Sequence, residues 1–387
     1  MKAGLFELAL SSLNGRRSKS VFVFLILTLL IFICSSVFFI TASLRTESGY
    51  SADAAADITV RTDRGGRTEL IKESYAEEIL LIPGVEYAAP MYTGLYHFEY
   101  LKSNLTIVGI DPFAEQYSED FSKAVSKLPS TPNWMVTGEK LAETLKAMYN
   151  KQSFSFALPN GEYLELPVAG TFKPASQMMS SSAVLTDIDS AGQILGIPEG
   201  RASYIAVYTG NPDETDNIAQ KIAGMYPDTR VTTKKQRLAA EGNLFDFRSG
   251  VFMLIFSVSL FTFFIIVFDR ASGLTAEERR ETAILKAVGY APSDIITVRL
   301  YEALIISVSA ILTAVSLAML YVYGMQAPLL KSVFTGYSYL RPEFALPFVF
   351  PAREMALTCL TVIPVYAAAV IIPAWRASVT DAHESLR

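Results

Sequence analysis

The sequence predicts an α-helical membrane protein with four transmembrane helices and one large extracytoplasmic α+β domain between helices one and two. Three observations carry this. First, four stretches contain no Asp, Glu, Lys or Arg: Val21–Leu44, Gly250–Phe268, Ala303–Tyr323 and Met355–Trp375. Second, their placement is lopsided: one span, then about 205 residues of soluble-looking sequence from 45 to 249, then three spans close together. Third, the chain is 51% hydrophobic with a positive mean hydropathy of +0.31, high for a soluble protein.

The first span is taken as residues 20–44. At 1.5 Å per helical residue its uncharged part reaches about 36 Å, enough for a hydrocarbon core of about 30 Å. Its apolar run exceeds the 7–15 residues of a secretory h-region, and Thr41-Ala42-Ser43 is a weak cleavage site, so it reads as a retained span. Positive charge sets the orientation. Lys2, Arg16, Arg17 and Lys19 precede span one, and Arg270, Arg279, Arg280, Lys286 and Arg299 lie in the loop 269–302. The loop 324–354 carries only Lys331, Arg341 and Arg353. Both termini are therefore expected in the cytoplasm, with residues 45–249 outside.

The segment 45–249 holds 19 Lys or Arg against 27 Asp or Glu, an acidic balance that argues against a nucleic-acid partner. Its first part reads strand, helix, strand: Asp57–Asp63 alternates, Thr68–Ile82 has helical spacing through Leu70, Ile71, Ile79 and Ile82, and Val85–Tyr92 follows Pro83-Gly84. Its last part repeats the plan, with a strand at Ser203–Thr209, a helix opened by Asn211-Pro212, and a strand at Arg230–Thr233. Two such units suggest a split, ferredoxin-like α+β sandwich. Between them a β-rich insert is expected at about 95–200. Its strands are Tyr92–Leu101, Leu105–Asp111, Ser153–Leu158 and Tyr163–Phe172, with an Asn160-Gly161 hairpin turn and an amphipathic helix Gly138–Tyr149.

Spans two, three and four are 250–268, 303–323 and 355–375, with a tail 376–387. In span three Ala310, Ala314 and Ala318 recur every four residues, which lets helix backbones approach closely, either across a dimer or against span four. Pro364 is expected to kink span four. The aromatic loop 324–354 reads as an interfacial anchor.

The most specific local pattern is Glu278-Arg279-Arg280-Glu281-Thr282-Ala283-Ile284-Leu285-Lys286-Ala287-Val288-Gly289. Ile284, Leu285 and Val288 form one apolar stripe on a short helix; Gly289 is placed to cap it, Pro292 stops it, and Ser293 or Asp294 is placed to cap the next helix. This segment resembles the coupling segment of MacB/FtsX-type ABC transporter permeases, E-R-x-x-E-I-x-x-L-x-A-x-G. Aligned on Leu285, Ala287 and Gly289, the segment also matches at Glu281, with Thr282 where Ile is common and the charged pair Glu278-Arg279 at the pattern's E-R end. Tyr301-Glu302-Ala303 is similar to the family's opening of span three. Pro373–Ala377 and Asp381–Arg387 resemble its P-A-x-R-A and D-P-x-E-A-L-R ending, with Ala382 and Ser385 differing. Leu8-Ala9-Leu10, Leu13 and Arg16-Arg17 resemble its amphipathic cytoplasmic helix, here 1–19. In the outer domain Ile82–Val85, Val108–Pro112 and Thr137–Ala142 are similar to its extracytoplasmic module. Asn150-Lys151 replaces the Gly-Asp turn common after that module's helix.

The resemblance implies a permease of the bacterial cytoplasmic (inner) membrane. It would transmit ATPase motion to the outer domain, exporting or extracting a substrate at the outer face. An FtsX-like mechanotransmitter acting on an extracytoplasmic partner is the alternative. The implied coupling residues are Glu278, Arg279, Arg280, Glu281, Ile284, Leu285, Lys286, Ala287, Val288 and Gly289. The implied partners are a separate ABC ATPase, a second permease chain (homodimer or paralogous heterodimer), the lipid bilayer and, where the complex has one, an extracytoplasmic adaptor. No phosphate loop G-x-x-x-x-G-K-[ST] occurs, so ATP and Mg belong to the ATPase, and this chain is expected to bind no cofactor and to be no enzyme. The two cysteines, Cys34 and Cys359, lie in spans, and His97 and His383 are the only histidines, which disfavours a zinc site. With no Asp, Glu, Lys, Arg or His inside a span, ion-coupled transport is disfavoured. Met178-Met179 in SQMMSSS reads as an exposed flexible loop.

Overall fold

The computed structural model describes residues 2–15, 17–53, 56–111, 132–174, 176–272, 284–335 and 344–379. In chain order the elements are α1 (Lys2–Gly15), α2 (Arg17–Asp53), β1 (Ile58–Arg64), β2 (Arg67–Glu69), β3 (Ile71–Lys72), α3 (Ser74–Leu80), β4 (Val85–Met91), β5 (Thr93–Phe98) and β6 (Ser103–Ile110). Then come β7 (Met135–Gly138), α4 (Glu139–Tyr149), β8 (Ser153–Ala157), β9 (Tyr163–Phe172), α5 (Gln177–Ser182), β10 (Ala183–Asp187), α6 (Ile188–Leu195), β11 (Arg201–Ala202) and β12 (Tyr204–Thr209). The last are α7 (Thr215–Met225), β13 (Thr229–Thr233), α8 (Lys234–Ser272), α9 (Pro292–Met319), α10 (Leu330–Thr335) and α11 (Ala352–Val379). They form two compact units. One is Met1–Ala42 with Asp246–Phe334 and Phe348–Arg387; the other is Ser43–Phe245 with Thr335–Pro347.

In the first unit four helices are long and apolar enough to cross a membrane: Arg17–Tyr50, Gly250–Asp269, Pro292–Gly324 and Ala352–Trp375. The helices outrun the expected spans. Helix α2 runs 37 residues, about 55 Å, and continues nine residues beyond Leu44. Helix α8 runs 39 residues and begins sixteen before Gly250. Helix α9 starts at Pro292, so the expected loop 269–302 ends in helix, and α11 continues to Val379 with Pro364 and Pro373 inside it.

The packing of α9 follows its side-chain sizes. Ala303, Ser307, Ala310, Ala314 and Ala318 recur every three or four residues and are at most 1% exposed. The facing helix, α11, buries Met355, Thr358, Val362, Tyr366 and Ala369 at the same period. Small residues on one helix leave room for larger ones on its neighbour. Among its described side chains helix α8 buries the stripe Phe256, Leu260, Phe263 and Val267, and leaves Leu254, Val258 and Phe261 exposed. At the far end of α9 a π turn, Leu320–Gly324, places the Tyr323 hydroxyl so that it donates to Val349 O (2.5 Å) and accepts from Val349 N (3.2 Å).

In the second unit the sheet order is β13-β1-β12-β4, with every neighbouring pair antiparallel. Counting only these four strands along the chain, the order is 4-1-3-2, the ferredoxin-like arrangement. Ile58, Val60, Ile205 and Val207 line one face and pack against Ala76 and Ile79 of α3 and Ile218 and Ile222 of α7. The expected helix 68–82 is corrected: Arg67–Lys72 is extended, and helix begins only at Ser74. Gly65 and Gly66, with φ +57° and +77°, make a two-residue turn that pairs Arg64 with Arg67, so β1 and β2 form a hairpin. Ile71 is buried from β3, on the ladder Ile71↔Ala202, and not from a helical turn.

The insert lies between β4 and β12. Its six-stranded sheet has the order β5-β6-β10-β7-β9-β8. The expected strands and the Asn160-Gly161 turn (Gly161 φ +87°) are present, and the short central strands β7 and β10 complete the sheet. Asn150 caps α4 in the left-handed conformation, φ +47° and ψ +37°. One core, with Phe98, Leu105, Phe154, Phe156 and Leu166, lies on one side; a second, with Val108, Trp134, Val136 and Leu185, lies on the other. Tyr92, at the junction with β4, donates its hydroxyl to Glu73; burial first, and then this bond, pushes its phenol well above the usual range.

Candidate functional site

Of the coupling segment, Glu278, Arg279, Arg280 and Glu281, with Thr282 and Ala283, lie outside the described residues. So do Arg16, Pro112 and the tail from 380. The described part begins with the helical turn 284–287. Tyr290 N donates to Leu285 O (3.1 Å) and Gly289 N to Lys286 O (3.0 Å), with Gly289 at φ +102°. This is the Schellman arrangement, in which a left-handed glycine lets the chain satisfy the last carbonyls. Two residues on, Asp294 Oδ2 accepts from Ala291 N (3.0 Å) with Pro292 in the first turn of α9. Asp294 therefore caps from inside the helix, where Ser293 or Asp294 was expected to do so from its start. The result is a sharp corner between the turn and α9.

The corner presents apolar surface. Ile284 is 53% exposed and Val288 72% exposed, one helical turn apart; Leu285 and Lys286 are half-buried. Exposed aliphatic residues at this spacing form a face that gains free energy when covered, at about 25 cal/mol per Å². The corner leads into a well-packed base. Leu5 and Ala9 of α1 pack with Val298 of α9, and Phe6 meets Tyr301 edge-on at 5.9 Å.

One largely buried charged pair is absent from the sequence expectation. Arg299 and Glu302 form an ion pair at 2.7 Å within helix α9, their side chains 17% and 10% exposed. The spacing Arg-x-x-Glu beside Tyr301 is the signal that marks it, since i and i+3 share a helix face. The Glu302 Oε1 atom is shut off from solvent with no hydrogen-bond partner among the described residues. Removing one partner of such a pair leaves an uncompensated charge, which costs far more than the pair itself contributes.

Ala310, Ala314 and Ala318 are each 0% exposed on the α9 face toward α11. His97 is exposed on β5, its Nδ1 3.2 Å from Asn104 Oδ1 across the β5–β6 hairpin. The Met178-Met179 segment is corrected: it is helix α5, and Ser180, Ser181 and Ser182 are buried. Among the described residues no group of three His, Cys, Asp or Glu is placed to hold a metal ion.

Residues 250–381 match the family described as FtsX-like permease C-terminal. No curated protein matches the chain. Among solved structures, the periplasmic region of MacB from Actinobacillus actinomycetemcomitans is similar at 12% identity and a TM-score of 0.29, over 46% of this chain and 88% of that one. The extracellular domain of the noncanonic ABC-type transporter YknZ from Gram-positive bacteria is similar at 11% identity and a TM-score of 0.28, over 46% of this chain and 99% of that one.

Proposed function

We propose, from the match of residues 250–381 to the FtsX-like permease family, that this chain is the membrane subunit of an ATP-driven MacB-type complex. In this reading a separate ATPase docks on residues 278–289 from the cytoplasm. Its closure around nucleotide moves the helices of spans one and two, and the domain 45–249 works on substrate at the outer face. The chain would act with a second permease copy and supply no catalytic group of its own.

One observation carries the reading. Strands β1 and β13 are neighbours in the sheet, with Ile58 opposite Thr233, and each is joined to a span helix. Helix α2 ends at Asp53, five positions before β1 begins at Ile58, and α8 starts at Lys234 directly after β13, where Lys234 N donates to Asp57 O (2.7 Å). Both helices thus feed the same two paired strands. An axial shift of α8 is delivered directly to a hydrogen-bonded ladder, because no residue intervenes between β13 and α8.

Two measurements test this. Single cysteines at Leu81 (82% exposed) and Ser293 (exposed) are expected to react oppositely with an impermeant thiol reagent in intact cells, Leu81→Cys labelling and Ser293→Cys not. Equal labelling contradicts the orientation. In the reconstituted complex, transport predicts ATPase activity that rises when substrate is added, whereas mechanical signalling predicts activity that responds to the outer partner protein alone.

A further inference from the structure

We propose that Glu47 is the joint through which span one drives the insert. Glu47 lies one turn beyond the uncharged part of span one, in the same unbroken helix α2, and is 3% exposed. Its Oε1 accepts from the Ser176 hydroxyl (2.7 Å) and from Met178 N (2.6 Å), residues 129 and 131 positions away in the chain. Ser176 Oγ in turn accepts from Met179 N (3.1 Å). Two of the amides that open α5, those of Met178 and Met179, are therefore satisfied, one by Glu47 directly and one through a hydroxyl that Glu47 orients. Hydrogen bonds to a carboxylate are shorter and roughly twice as strong as neutral ones, which suits a joint that must hold under displacement.

What α5 touches next gives the joint its reach. Helix α5 runs without a break into β10, a central strand of the insert sheet that pairs with β6 on one side and β7 on the other. Its backbone at Ser180 lies so close to Gly138, at the end of β7, that a Cβ there would meet Ser180 O at 2.2 Å. Lys140 N of α4 donates to Ser180 Oγ (3.3 Å), and Met179 packs on the core around Trp134 and Phe172. A movement of α2 thus reaches the middle of the insert sheet through one carboxylate and one short helix. This route is separate from the β1–β13 ladder, which serves the ferredoxin-like sheet.

The carboxylate itself argues for a role beyond packing. Glu47 has no ion-pair partner among the described residues, and its Oε2 is shut off from solvent without a hydrogen-bond partner. Burying a charge held only by dipoles is costly, and a neutral residue would fill the same space more cheaply. The joint is defined by the fold alone; its use in an ATP-driven cycle rests on the reading above.

The test uses the full chain in lipid nanodiscs, with no ATPase present, so its outcome is independent of that reading. Hydrogen exchange is followed over 176–187. Nitroxides at Tyr50→Cys on α2 and Tyr163→Cys on β9, with Cys34 and Cys359 replaced by Ala, report the distance between helix and insert. Glu47→Ala is expected to speed exchange across 176–187 by at least about tenfold, the scale of a lost hydrogen bond to a charged group, and to broaden the distance distribution. Glu47→Gln keeps an acceptor oxygen without the charge and is expected to restore both in part. Unchanged exchange overturns the joint. So does faster exchange confined to Met178 and Met179 with an unchanged distance, which makes Glu47 a local cap only. If Glu47→Ala does not insert, Ser176→Ala, which leaves the direct Met178 bond intact, decides by the same two readouts with smaller effects of the same sign.

Discussion

Replacing Gly138 by alanine is expected to cost the outer domain most of its insert. The backbone at Gly138 has φ −57° and ψ +147°, which alanine adopts without strain, so the effect is purely steric. The added Cβ would lie 2.2 Å from Ser180 O and 2.7 Å from both Ser180 C and Ser180 Cα. Those are backbone atoms, and α5 is anchored at its start by Glu47 and at its end by β10. Neither neighbour can rotate away, so β7 or α5 must shift by about an ångström or more. Overpacking of this kind costs typically about 1–3 kcal/mol and sometimes more, and against backbone the upper end is expected. Gly170 on the adjacent strand β9 is the control: a Cβ there meets nothing within 4 Å. A thermal melt of the purified chain followed by limited proteolysis separates them. Gly138→Ala should lower the midpoint and open the insert to cleavage, and Gly170→Ala should do neither. Wild-type behaviour of Gly138→Ala would mean that β7 and α5 are not in this contact.

Ala314→Phe carries the second large effect. Ala314 is 0% exposed at the centre of the α9–α11 contact, and a benzyl group there has no space unless the two helices part. Separating them removes the facing packing of Val362 and Tyr366, and nothing in a bilayer replaces it as closely. The expected result is a sharp fall in folded, membrane-inserted protein, read as the monodisperse fraction after detergent extraction. Leu312→Phe, at a position 64% exposed on the same helix, should leave that fraction unchanged. Equal yields from the two variants would put Ala314 on a lipid-facing surface.

Much of the architecture is legible in the sequence because its signals are one-dimensional. Charge-free runs of twenty residues announce spans. The Asn160-Gly161 turn and the Gly289 cap each need a backbone conformation that few residues supply. The misread segments have a common physical cause, local pattern overruled by distant partners. Leu70, Ile71, Ile79 and Ile82 happen to fall at helical spacing, yet the Gly65-Gly66 turn folds Arg67–Glu69 back on β1 first. Gln177–Ser182 is a poor helix by propensity, with three serines in six residues, and is helical because Ser176 and a glutamate 131 positions upstream satisfy its first amides. Strands β7 and β10 have four and five residues, too few for a period to show. The Arg299–Glu302 pair sits just outside the charge-free window, where span three begins by composition but where the helix is already seven residues old. In the candidate site, the stripe Ile284, Leu285 and Val288 is readable from spacing; that Ile284 and Val288 are the exposed pair while Leu285 is half-buried is a fact of the corner's geometry.

The proposed function stands or falls on whether an ATPase grips this chain at residues 278–289. The measurement that tests it most directly is copurification of an ABC ATPase with the full chain, comparing wild type with Leu285→Ala and Arg280→Glu. If the apolar face fills a groove on the ATPase, trimming the half-buried Leu285 removes about 1 kcal/mol of burial, roughly fivefold in affinity. Reversing Arg280 removes a charge that fixes the register. Both variants are expected to insert normally, to recover less ATPase, and to lower ATP-dependent work by the complex. Wild-type ATPase recovery and function in both would show that residues 278–289 are not the coupling element.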